Sequence, residues 1–250
     1  MLSYCRIAFF SLVAFVTLLN KYNVSFSPSR SLYFLELLEL FFLSSSGFLF
    51  KRGIKDLLIL SSTSLILKKL EIVVPEHFIQ NLDGIYVGDY DFLLKRDLNA
   101  LYKDGAIYVM PEQDDEQDVY EDIVHEIAHC VEETYGMDIY EDGKIEDEFL
   151  RKRRALLDIL KAYGYNEVSD AAYGNTEYSK KFDEFLYLMV GYPTLTQLTP
   201  NLFVSPYGAT SLREYFANCF EEYFARRQYN HVKKISPAVY EKIELLLGIT

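Results

Sequence analysis

Two histidines set four residues apart, His125 and His129, with Glu126 directly after the first, can act together only if they lie on a helix. One helical turn separates i from i+4, so both imidazoles share a face and can converge on one ion. Glu126 stands about 100° further round the axis, beside such an ion, where its carboxylate can take a proton from a water. Zinc accepts neutral imidazole and in catalytic sites keeps three protein ligands and one water, whose pKa it lowers towards neutrality. The five-residue pattern also occurs on ordinary solvated helices. Here Ile123, Val124, Ile127, Ala128 and Val131 make much of the helix apolar, so its polar residues need partners. Two of the chain's four histidines fall within it. The pattern therefore asks for a third ligand from elsewhere in the chain.

The stretch Ser205–Phe224 supplies candidates on an expected helix rich in aromatic residues. Its chemistry leaves Glu214, Glu221 and Glu222 competing for the metal. Glu214 and Asn218 are i and i+4, so a ligand carboxylate and an amide that orients a histidine can point the same way. Glu221 and Glu222 are expected to be exposed charges. Cys130 and Cys219 are candidate ligands too, set against the expectation that both are small buried residues.

These segments resemble the anthrax-lethal-factor-like zinc metallopeptidases, which are gluzincin-type enzymes. That family carries HExxH on one helix and, well downstream, a Tyr-Gly seven residues before an E-[FY]-F-A segment. This chain has HEIAH at 125–129, YG at 207–208 and EYFA at 214–217. The resemblance implies a zincin-like fold and one Zn2+ per chain, held by His125, His129 and Glu214. It implies Glu126 as general base and Tyr207 as hydrogen-bond donor to the developing oxyanion. More loosely, the chain from about Leu70 onward is similar to uncharacterised metallopeptidase-like proteins of tailed phages and bacteria. Family members usually carry a second glutamate four residues after the ligand glutamate. This chain has Asn218 there, which can still orient a histidine but cannot supply the charge.

The rest of the sequence sets the surroundings. A net charge of −12 argues against broad nucleic-acid binding. A protein or peptide substrate is the partner that the resemblance implies. Three cysteines, Cys5, Cys130 and Cys219, make no disulfide framework and point to a reducing, cytoplasmic location, either host cytoplasm or a virion if phage-encoded. Residues 1–50 form an apolar N-terminal extension. Its run Ile7–Leu19 is short of the roughly 20 residues a membrane span needs, and Glu36 and Glu39 interrupt the second run. An amphipathic or buried helix is expected there, with membrane contact through 7–50 as the alternative. Residues 51–250 are expected to be one α+β domain, mostly helical with a small sheet before the HExxH helix.

Strands are expected at Gly84–Gly88 and Gly105–Met110, with a short helix or a strand and turn between them. Asp114 or Asp115 is expected to cap a helix through Val119–Glu133 that stops near Gly136. Further helices are expected at 54–70, 145–165, 179–193, 211–227 and 236–248. Ala106, Ile107, Tyr108 and Val109 are expected to line the cleft and receive a peptide at their strand edge, or else to be an ordinary core strand. The acidic run Glu112–Asp118 either favours basic residues in a substrate or is a solvated helix start. The expected activity is zinc-dependent endopeptidase. The alternative is a catalytically weak or inactive structural or adaptor protein, for example of a phage particle.

Overall fold

The computed structural model describes residues 50–52, 58–111, 113 and 115–248, with side chains from Ile66 onward. The N-terminal extension as far as residue 49, Cys5, Glu112 and Asp114 lie outside the described residues, and so do the expectations that rest on them.

Four short strands form one sheet: β1 (Phe50–Arg52), β2 (Gly84–Val87), β3 (Ala100–Lys103) and β4 (Ala106–Val109), in the order β1-β2-β4-β3. The first three in that order run parallel, and β3 closes the sheet antiparallel to β4. A two-residue turn at Asp104-Gly105 joins β3 to β4, with φ of 51° and 78°. Two successive positive φ values are what a type I′ hairpin requires; glycine adopts them freely and aspartate tolerates them. Side chains alternate across the sheet as the strand period demands. Ile85, Val87, Ile107 and Val109 enter the core, while Tyr86 and Tyr108 stack at 5.4 Å on the other face.

Among the described residues five helices have ten residues or more: α1 (Leu58–Val73), α2 (Glu116–Tyr140), α3 (Lys144–Ala162), α4 (Leu212–Phe224) and α5 (Pro237–Leu246). The chain is thus α+β, mostly helical with one small sheet. Among the described residues no helix is long and apolar enough to cross a membrane.

Helix α2 starts where Asp115 accepts hydrogen bonds from the N–H groups of Gln117 (2.7 Å) and Asp118 (3.0 Å), so Asp115 is the helix cap. Its apolar side, Ile123, Val124, Ile127, Ala128 and Val131, is buried between the sheet and α4. Fully burying one such branched side chain stabilises by roughly 1.5–3 kcal/mol, and Val124→Asp would break that contact. The helix does not stop at Gly136. It kinks at Tyr135 (φ −116°, ψ 19°) and runs on to Tyr140, because Ile139 is fully buried and Tyr140 packs on Phe216. Tertiary packing there outweighs the cost of a mid-helix glycine.

Helix α4 begins at Ser211, whose hydroxyl accepts from the Glu214 N–H at 3.2 Å. Phe216, Phe220 and Phe224 recur every fourth residue and face the core, where Phe78 meets the last two. The opposite face therefore carries Glu214, Asn218 and Glu221 at i, i+4 and i+7. Cys130 and Cys219 are free, fully buried thiols, the small core residues expected of them.

Candidate metal centre

Helices α2 and α4 pack with the HExxH face of one against the glutamate face of the other. His125 Nε2 lies 3.0 Å from Glu214 Oε2, and His129 Nε2 lies 3.8 Å from Glu214 Oε1. One atom from each of the three residues falls within 4.8 Å of the other two, so the group can hold a metal ion. An ion bound at roughly 2.0–2.1 Å by tetrahedral nitrogen and oxygen donors separates them by about 3.3 Å. The two observed contacts go to different oxygens of Glu214 and lie on either side of that value, so a small shift of the carboxylate would let the three residues hold a small divalent ion. Of the three competing glutamates, Glu214 is the one facing both Nε2 atoms. Glu222 points away, to His231 (2.8 Å) and Arg226 (3.3 Å).

The other ring nitrogens are held by carboxylates. Glu132 Oε2 sits 2.7 Å from His129 Nδ1, and Glu221 Oε2 sits 3.3 Å from His125 Nδ1. Glu132 also accepts from the Tyr140 hydroxyl and from Arg213 Nε at 3.2 Å. A carboxylate on the outer nitrogen fixes the tautomer and the ring plane, leaving Nε2 free to ligate. Glu221 and Glu222 are therefore not the exposed charges expected; their side chains are 14% and 8% exposed. The sequence signal for Glu132 is its i+3 spacing from His129.

Charge is tightly shared here. Burial opposes the His125 imidazolium, but the Glu214 and Glu221 carboxylates outweigh it and hold its pKa well above the usual range. Burial pushes Glu214 up, yet its contacts with His125, His129 and Arg213 bring it below the ordinary carboxylate value. A cation entering this group takes over the charge that a proton otherwise supplies.

Glu126 is buried and accepts the main-chain N–H of Tyr102 at 2.5 Å, so strand β3 fixes its carboxylate. Tyr207 lies on the short 3-10 turn Pro206–Ala209, its ring centroid 6.3 Å from that of His125. Burial first, then the charge of Glu214, push its phenol far above the usual range, so it stays a hydrogen-bond donor. All five motif residues line one cleft of about 630 Å³. No family model, curated protein or solved structure matches this chain.

Two expectations need correction. Asn218 does not reach a histidine. Its amide donates to the Glu214 carbonyl at 2.9 Å and accepts from the Ser205 hydroxyl. A Cβ on Gly208 would meet Asn218 Cβ at 3.5 Å, so the Tyr207 turn sits directly on this side chain. Asn218 thus ties α4 to the turn that carries Tyr207. The second correction concerns Ala106, Ile107, Tyr108 and Val109. β4 is paired to β2 on one side and β3 on the other, so it has no free edge for a peptide. The strand facing the cleft is β3, through Ala100, Leu101 and Tyr102. Asp104-Gly105, a strong short-range hairpin signal, was the clue to an edge strand before it.

Proposed function

We propose that this chain is a zinc-dependent endopeptidase of zincin type, with the motif pattern of the lethal-factor-like gluzincins. The observation that carries the reading is the meeting of Glu214 with His125, 89 residues away in sequence, on the side of the ring that Glu221 leaves free. His125, His129 and Glu214 would hold the ion. Bound there, zinc supplies a Lewis acid for the peptide carbonyl and lowers the pKa of the attacking water.

The chain's own residues then have distinct tasks. The Tyr102 N–H holds Glu126 in place to take a proton from the water and to pass it to the leaving amine. Tyr207, protonated throughout the physiological range, donates a hydrogen bond to the oxyanion. The edge of β3 away from β4, unpaired by any strand among the described residues, receives the peptide as an added strand, bringing its main chain past Glu126. Free buried thiols at Cys130 and Cys219 agree with the proposed cytoplasmic location.

The adaptor alternative drew on Asn218 and on the N-terminal extension, and Asn218 has a structural task of its own. A scaffold also gains nothing from a carboxylate held beside two histidines. Glu126→Gln is the test. Metal analysis should find about one zinc per chain in both proteins, and cleavage of a proteome-derived peptide library should fall by roughly 10²–10⁴-fold. Retained cleavage in the variant would remove Glu126 from the reaction. Zinc bound by neither protein would remove the proposal.

A further inference from the structure

Helix α3 buries a guanidinium that no carboxylate pairs with among the described residues. Arg153 is 1% exposed and makes no ion pair among the described residues. Instead its donors go to main-chain carbonyls: Nε to Tyr173 (3.3 Å), Nη2 to Ala172 (2.6 Å) and Asn175 (3.4 Å), Nη1 to Ala209 and to Thr210 (3.3 Å). Its planar group also lies 3.7 Å over the Phe182 ring. Burial draws its pKa down to about 10, so it stays cationic at neutral pH. Burying a charge is costly, and a packed apolar side chain of similar volume commonly does no worse for stability. Gathering five carbonyls is something only a guanidinium can do.

Those carbonyls belong to two segments that both enter the cleft. Ala172, Tyr173 and Asn175 precede Thr176 and Tyr178, which line it. Ala209 and Thr210 follow Tyr207 and precede Ser211, the cap of the helix carrying Glu214. Thr210 returns two hydrogen bonds to the Tyr207 carbonyl, from its N–H (2.9 Å) and its hydroxyl (2.8 Å). One direct bond joins the segments, from Leu212 N–H to the Thr176 carbonyl at 2.8 Å. Asn218 holds the Tyr207 turn from the α4 side, and Arg153 holds it from the α3 side.

We propose that Arg153 is a positioning residue: it clamps the Tyr207 turn to the 172–175 segment and so fixes where the phenol stands over the His125–His129–Glu214 group. The kinetic half of this inference rests on the endopeptidase reading; the structural half does not. The test compares the full chain, zinc-loaded, with R153M and R153K by hydrogen–deuterium exchange, zinc content and kinetics on one cleaved library peptide. In R153M the amides of 205–210 should exchange at least tenfold faster, with those of 123–131 unchanged and zinc still near one per chain. The kcat should fall at least tenfold while KM stays within twofold. R153K, with three donors in place of five, should recover part of both losses. Exchange that is unchanged at 205–210, or faster by one factor throughout, overturns the clamp, as does an unchanged kcat. If R153M does not fold, the same comparison in R153K decides. A wild-type chain that binds zinc and cleaves nothing sinks the endopeptidase reading, and the exchange data still decide the clamp.

Discussion

His129 and His125 reach the same point by different means. His129 is oriented by Glu132, three residues on in the same helix, at 2.7 Å. That carboxylate is itself saturated: it is buried and held by Tyr140 and Arg213. His125 is oriented by Glu221, 96 residues away on α4, at the longer distance of 3.3 Å. Glu221 in turn leans on Arg226, whose side chain is 44% exposed. One histidine is thus set by helix geometry, the other by how two helices dock. Local order forms with the helix, whereas the second arrangement holds only while α2 and α4 stay packed.

The largest effect comes from removing the residue both sides share. Glu214→Ala should weaken zinc at least 100-fold in competition with a chelator, since it would take away one of the three proposed ligands. A loss under tenfold would place the third ligand elsewhere. The comparison itself is sharpened by Glu132→Gln and Glu221→Gln. Outer carboxylates are worth about 10–100-fold in metal affinity. Glu132→Gln should sit near the top of that range, and Glu221→Gln near tenfold. Equal losses would mean that docking fixes His125 as firmly as the helix fixes His129.

How much of this was legible in the sequence follows the same division. HEIAH could be read because i and i+4 define a face, and Glu214 because its segment resembles a known family. Glu132 was equally local and went unread, since an acidic residue after a motif looks like surface charge until Tyr140 and Arg213 are seen around it. Periodicity puts Glu221 on the face of Glu214 but does not say what that face meets; only the docking of α4 brings Glu221 to His125 and Glu222 to His231. The sheet shows the same limit. The strand at Gly105–Met110 was evident from its residue types, but whether a strand is central or edge depends on partners the strand itself does not name. Gly136 misled for a further reason: its helix-ending tendency is weak beside the burial of Ile139.

Asp122 exposes another difference between the sides. It lies one turn before His125, and its Oδ2 is buried with no hydrogen-bond partner among the described residues, while the Glu132 oxygens are all engaged. Burial, helped by the charges of Glu221 and Glu126 and opposed by His125, pushes its carboxyl up to about 7. The folded chain thus keeps this proton over a range in which the unfolded chain has lost it, so stability falls as pH rises from about 4 through 7. Asp122→Asn removes that loss. With chelator present, its unfolding free energy relative to wild type should rise by on the order of 1–2 kcal/mol between pH 5 and pH 8. A difference that stays flat with pH would mean that water or a partner satisfies Oδ2.

Arg226 gives the smallest effect and the finest test of the comparison. It bridges Glu121 (2.6 Å), Glu221 (2.9 Å) and Glu222 (3.3 Å), joining the start of α2 to the end of α4. Partly exposed ion pairs contribute about 0.2–1 kcal/mol, so Arg226→Gln should weaken zinc by no more than about fivefold. Salt near 1 M should erase the difference, because the Debye length falls to about 3 Å. Arg213→Gln is the counterpart on the other side, and it leaves Glu132 held by the Tyr140 hydroxyl. It should therefore change zinc affinity less than Arg226→Gln at low salt. The reverse order would show that His129 depends on its exposed arginine more than on its own helix, and the contrast between the two histidines would be lost.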